Sequence, residues 1–134
     1  MSTTENVRVL VVGAGGHARV CIEALDDSGY DVVGCVSRDG TGIGGLPCRV
    51  LGSDEELEQL AERIGVRHVF VAVGHNATRE RLTERCREAG LSPVNAISRF
   101  AMVSAAAELG SGVAVLAGAV VNPSAIVADS SAIA

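Results

Sequence analysis

Through its first hundred or so residues the chain alternates short aliphatic runs with amphipathic stretches; after that the pattern changes. Residues 7–12 are nearly all apolar and end at Gly13, as expected of a strand buried on both faces of a parallel sheet. Residues 17–27 place Ala18, Cys21, Ile22 and Leu25 at helical spacing, and Ser28-Gly29 ends that helix. A second strand, 31–36, runs into Ser37-Arg38-Asp39-Gly40. The glycine-rich 41–51 reads as a loop or short edge strand. Ser53-Asp54-Glu55-Glu56 has capping-box spacing and opens a helix to Ile64, stopped by Gly65. A third strand, 68–73, exits through Gly74-His75-Asn76. Asn76 is placed to cap a charged helix over 77–89, and a fourth strand follows at 92–97. This alternation predicts right-handed crossovers, a parallel sheet, and ligands at the carboxyl ends of the strands. The polar turns at 13–17, 37–39 and 74–76 all fall at such ends and are expected to converge on one crevice.

Beyond Phe100 charge almost vanishes, and Val103, Leu109, Val115, Val121, Val127 and Ile133 recur every six positions. Small residues follow four places after each of the first five, at Ala107, Val113, Ala119, Ala125 and Ser131. A helix has period 3.6 and a half-buried strand period 2, so neither explains it. A period of six belongs to hexapeptide β-helices, whose inward aliphatic residue recurs once per side of each coil. The pattern therefore predicts a small Rossmann-like parallel-sheet α/β domain over 1–99. The start of a left-handed parallel β-helix follows over 100–134.

Composition narrows the classes of function. The chain has 134 residues, 48% of them hydrophobic, with a formal net charge of −5. It offers no basic field for nucleic acid. Its only aromatics, Tyr30, Phe70 and Phe100, leave nothing for base stacking. The longest apolar run, 113–121, is too short to cross a bilayer. Without a basic, apolar leader, cytoplasmic residence is the expectation. Cys21, Cys35, Cys48 and Cys86 form no C-x-x-C pair, so they read as unreactive thiols and no metal site is expected.

The candidate chemistry sits in the turns. Gly13, Gly15 and Ala18 have the G-x-G-x-x-(G/A) spacing of nucleotide-binding turns, and Gly16-His17 adds an ionisable donor in the first helical turn. His17 can donate to a diphosphate or simply solvate the helix start. Asp39 can accept a ribose hydroxyl, as in dinucleotide domains, or form a turn before Gly40. Ser37 and Arg38 accompany it. Gly74, His75 and Asn76 line the third turn. Arg79 can pair with phosphate, although so many charges surround it that a solvated face is its first reading.

Three segments together resemble one family: the turn Gly13–Ala18, the run Ala72-Val73-Gly74-His75-Asn76-Ala77-Thr78-Arg79, and repeats containing Val121-Asn122-Pro123-Ser124-Ala125. The chain is similar to bacterial sugar acetyltransferases of the sialic acid O-acetyltransferase and UDP-amino-sugar N-acetyltransferase kind. The resemblance implies an α/β domain holding a nucleotide-linked sugar and a β-helix that trimerises and binds acetyl-CoA between subunits. It also implies a catalytic histidine after a segment like N-T-x-x-x-V-x-H, which lies beyond Ala134. The chain is thus expected to carry the nucleotide-sugar part of a longer enzyme, and alone to be inactive and monomeric or weakly associated. Ser37-Arg38-Asp39 departs from the adjacent aspartates that relatives often carry. The alternative reading is a non-catalytic nucleotide- or dinucleotide-binding module using Gly13, Gly15, Ala18 and Asp39.

Overall fold

The structure is a computed structural model and describes residues 6–134. Five parallel strands, β1 (Arg8–Val12), β2 (Asp31–Ser37), β3 (Val50–Ser53), β4 (His68–Val71) and β5 (Ser92–Pro93), form one sheet in the order β3-β2-β1-β4-β5. The chain steps outward from β1 on one side, then returns to build the other. That reversal puts a switch point beside the carboxyl end of β1, where open α/β sheets bind ligands.

Both faces of β1 are covered, which is why its sequence is nearly continuous in apolar residues. Val9 and Val11 pack with Ala18, Cys21, Ile22 and Leu25 of α1 (Gly16–Asp27). Leu10 and Val12 pack on the other face with Leu57 and Leu60 of α2 (Leu57–Ile64) and Leu82 and Cys86 of α3 (Asn76–Glu88). Val9, Leu10 and Val11 are fully buried.

Two helix starts differ from the sequence expectation. Ser53 makes no capping hydrogen bond. Residues Asp54–Glu56 instead form a single 3-10 turn before α2 begins. Helix α3 is capped by His75 rather than Asn76: the His75 Nδ1 accepts from the Thr78 N–H at 3.2 Å. Imidazole supplies the acceptor that Asp, Asn, Ser or Thr usually provides, so cap statistics miss it. Strand β3 sits at the sheet edge, and the glycine-rich loop before it is tied back by the Ile43 N–H donating to Ala14 O at 3.0 Å.

The expected strand over 92–97 divides. Only Ser92 and Pro93 pair with β4; Ala96–Ile97, as β6, pairs instead with the first of the later strands in its own sheet. From there two-residue strands recur every six residues: β7 (Met102–Val103), β8 (Glu108–Leu109), β9 (Ala114–Val115), β10 (Val120–Val121), β11 (Ile126–Val127) and β12 (Ala132–Ile133). Each pairs in parallel with the strand 18 residues on: β6 with β9, β7 with β10, β8 with β11, β9 with β12. These are the first coils of a parallel β-helix, each coil being three six-residue sides. The coil begins one strand earlier than expected, so it completes two turns. Ile97, six before Val103, was the sequence signal for that. Val113, Val115, Ala119 and Val121 form its core. Corners at Gly112, Gly118, Ser124 and Ser130 all have left-handed backbone, with φ of 72, 83, 67 and 62°.

Candidate functional site

A crevice of about 870 Å³ opens at the carboxyl ends of β1, β2 and β4. Its walls are the glycine turn (Gly13, Ala14), the end of β2 (Ser37, Arg38), the 3-10 turn (Asp54, Glu55), and Val73 with the start of α3 (Thr78, Arg81, Leu82, Arg85). Leu82 and Arg85 place it on the α2/α3 side of the sheet.

Gly13 is dictated by the fold: its φ is 127°, and a Cβ there would run into the carbonyl oxygen of Ala72. Gly15 and Gly16 are different. Their backbone is ordinary for any residue, and nothing lies within 4 Å of where a Cβ would stand. Packing does not require glycine there. Its effect is to leave the first N–H groups of α1 open for a close approach. Gly74 is open in the same way.

The β2 turn is rigid. Ser37 is buried and donates to Thr41 O at 2.6 Å. Asp39 Oδ1 accepts from the Thr41 hydroxyl at 2.8 Å and from the Thr41 N–H at 3.0 Å. These bonds hold the Asp39 carboxyl below its ordinary range, the hydroxyl contributing most. Asp39 thus shapes the turn, and Arg38 beside it reaches the crevice.

Arg79 reverses its expectation. It is buried, 7% exposed, rather than solvated. Its Nε donates to Ser130 O at 2.7 Å, Nη1 to Val73 O and Gly74 O at 3.0 and 3.2 Å, and Nη2 to Asn76 Oδ1 at 2.8 Å. One guanidinium therefore fixes the β4 exit turn and binds it to a coil corner 51 residues away. The charged sequence around Arg79 concealed this. Glu80, Arg81, Glu84 and Glu88 of that helix are exposed, but Arg79 is on its buried face with Leu82, Thr83 and Cys86.

His17 is half-buried, with Nε2 3.4 Å from Cys21 Sγ. Burial lowers its pKa, and the Arg79 charge lowers it further, so the ring is neutral near pH 7. The expected convergence is therefore partial. Gly13, Ser37 and Arg38 line the crevice. Gly15, Gly16, His17, Asp39, Gly74, His75, Asn76 and Arg79 do not line it; Arg79, held by Asn76, stands at the junction with the coil. Residues not singled out from the sequence complete the lining: Asp54, Glu55, Thr78, Arg81 and Arg85. In the sequence Arg81 and Arg85 stand out only as members of a charged helix, and Asp54 and Glu55 only as the residues between Ser53 and Glu56 of the capping-box segment.

Arg85 is already paired, with Nε and Nη2 donating to the two Glu58 carboxylate oxygens at 2.9 and 2.7 Å. Each group shifts the other toward its charged form, Glu58 downward and Arg85 upward, chiefly through this bidentate contact. Elsewhere, burial pushes the Cys21 and Cys86 thiols up to about 12, which suits thiols used for packing.

A Rossmann-type sheet with an open glycine turn, continuing directly into parallel β-helix coils, defines the class: an α/β nucleotide-type domain joined to a β-helix. Residues 8–86 match the family described as the PglD N-terminal domain, and the chain belongs to that family. Among solved structures it is similar to a variant of perosamine N-acetyltransferase from Caulobacter crescentus in complex with CoA and GDP-perosamine. Identity there is 38%, with a TM-score of 0.88, over 99% of this chain and 62% of that one. PerB from the same organism, also with CoA and GDP-perosamine, matches at 36% identity and TM-score 0.76, over 96% of this chain and 66% of its own. The acetyltransferase domain of PglB from Neisseria gonorrhoeae, in complex with acetyl coenzyme A, matches at 28% and 0.77, over 96% and 62%. The chain thus spans about two-thirds or less of each of these relatives. A comparison with curated proteins returns no match.

Proposed function

We propose that the chain is the nucleotide-sugar-binding portion of an acetyl-CoA-dependent sugar N-acetyltransferase. The observation that carries this reading is the 38% identity to perosamine N-acetyltransferase, sustained over 99% of the chain, sheet and coil alike. The crevice supports it chemically. Open N–H groups at the start of α1 and the guanidinium groups of Arg38 and Arg81 suit a diphosphate. The acceptor amine then projects past the glycine turn toward the coil junction, where His17 is neutral.

Acetyl-CoA is the co-substrate in this reading. In the complete enzyme a neutral histidine removes the amine proton as nitrogen attacks the thioester carbonyl. Residues 1–134 alone are expected to release no CoA thiol. Their histidines (His17, His68, His75) all precede the coil, whose ionisable side chains after Phe100 are Glu108 and Asp129. Asp129 is taken up by the Ser111 N–H and Arg87. The complete enzyme works as a trimer, formed through the outward apolar side chains of the coil, which two turns alone hold together only weakly.

Calorimetric titration with GDP-, UDP- and CMP-linked sugars tests the reading, binding of at least one being expected. Binding of NAD with no response to any nucleotide sugar would overturn it in favour of a dinucleotide module.

A further inference from the structure

The crevice is lined by charges of both signs: Arg38 and Arg81, and Asp54 and Glu55 on the 3-10 turn that follows β3. Ser37 and Ser53 are register partners, so Arg38 and Asp54 leave their strands side by side. Arg85 is committed to Glu58, and its Nη2 also donates to the backbone carbonyl of Asp54 at 2.8 Å. That bond fixes where Asp54 stands. Asp54 is half-buried, and among the described residues its carboxylate accepts no hydrogen bond and joins no ion pair. Glu55 is exposed and tied only by a 3.5 Å contact to its carbonyl. A carboxylate without a protein partner in a nucleotide-sized crevice suits a ligand face rich in N–H donors.

Resting on the nucleotide-sugar reading above, we propose that Asp54 makes this crevice selective for a guanine nucleotide, its carboxylate accepting from the base. Of the common bases only guanine presents two adjacent donors, N1–H and the N2 amino group, spaced to meet both oxygens of a carboxylate. Uracil offers one N–H between two carbonyl oxygens, which a carboxylate repels. Cytosine and adenine each pair an amino group with a ring nitrogen that accepts, so one carboxylate oxygen faces a lone pair. With the base at Asp54, the phosphates extend toward Arg81 and the open N–H groups of the glycine turn. A carboxylate–guanine pair discriminates by roughly ten- to a hundredfold, as bidentate base contacts do elsewhere.

The test is calorimetric titration of the chain with GDP, IDP, UDP and CDP, and of the Asp54→Asn chain with the same four. IDP keeps N1–H but lacks the N2 amino group, so it probes the contact without any substitution. GDP is expected to bind ten- to a hundredfold more tightly than UDP or CDP, with IDP between. Asp54→Asn is expected to weaken GDP and to leave UDP no weaker, since the amide no longer repels uracil's carbonyl oxygens, so that the preference for GDP is lost. Equal affinity for GDP, IDP and UDP, or a GDP preference that survives Asp54→Asn, would overturn the assignment while leaving the crevice a nucleotide site. If none of the four binds, the nucleotide-sugar reading falls as well.

Discussion

The sheet and the coil bury the aliphatic residues of parallel strands in opposite ways. In the sheet, β1 is covered on both faces, by α1 on one side and by α2 and α3 on the other. In the coil, except where Ala96 and Ala114 also pack against α1, the inward residue of each two-residue strand is the covered one. Its outward neighbours Met102, Val120 and Ile126 are 66, 57 and 79% exposed, and Phe100 is 67% exposed. The difference separates two jobs. The sheet is a saturated scaffold whose loops at the carboxyl ends stay open, with Gly15, Gly16 and Gly74 exposed. The coil is a surface builder, almost without ionisable groups, and its outer face is apolar.

If that contrast is right, core substitutions should differ in size but not in kind. Phe70, 1% exposed and packed in the α1 layer, is the largest fully buried side chain. Phe70→Ala is expected to cost about 3–5 kcal/mol. Val115 is fully buried in the coil, yet Val115→Ala removes only two methyl groups, so about 1–2.5 kcal/mol is expected. Both should shift one common urea transition, because Ala96 and Ala114 of the coil lie in the same cluster as α1. A Val115→Ala chain that unfolds in two steps, with the sheet's midpoint unmoved, would make the coil a separate cooperative unit.

Arg79 is where the two regions are joined. Arg79→Met leaves the carbonyls of Val73, Gly74 and Ser130 without their donor, at a cost of about 2–4 kcal/mol after water has entered. Arg79→Lys keeps the charge but loses the planar fork, so it should recover less than half of that. Full recovery by lysine in urea unfolding would show that charge, rather than the bonding geometry, holds the turn to the coil.

These cases show what the sequence could and could not reveal. Strand β1, α1 and the six-residue period were legible because each is a repeated pattern of burial, and burial is what selects residue type along a segment. The division of 92–97 was only partly legible: Pro93 lacks a ladder N–H and marks an edge, but Val94 and Ile97 both suit a strand and only pairing partners distinguish them. Single side chains with non-local partners were least legible. Arg79 meets a carbonyl 51 residues away, and nothing in its neighbours on the helix predicts that. His75 could be found as a cap only from its bond to Thr78. Gly13, Ser37 and Arg38 were readable because strand ends are fixed by the strands themselves. Asp54, Thr78 and Arg81 enter the crevice through helix starts whose facing depends on packing.

The smallest expected effect is in pH, and it tests whether the junction sets the state of His17. Burial, and then the charge of Arg79, lower the pKa of His17 below its ordinary value of 6.5. The unfolded chain therefore takes up this proton first as pH falls. Stability rises with pH wherever the unfolded state holds more protons. The contribution of His17 is thus complete above about 6.5 and is lost as pH falls from there through its folded value. Lowered carboxyls such as Asp39 and Glu58 act in the same direction, but at more acidic pH. The window just below 6.5 therefore separates imidazole from carboxylate, and the His17→Gln comparison assigns the effect to His17. Urea unfolding at pH 7.5 and pH 5.8 should show the chain losing stability, and His17→Gln losing less. An NMR titration of the His17 ring should place its midpoint below 6.5 in the chain and higher in Arg79→Met, because the cation is gone. A midpoint at 6.5 or above in the unaltered chain would mean that neither burial nor Arg79 governs His17, and the junction would then be a purely mechanical link.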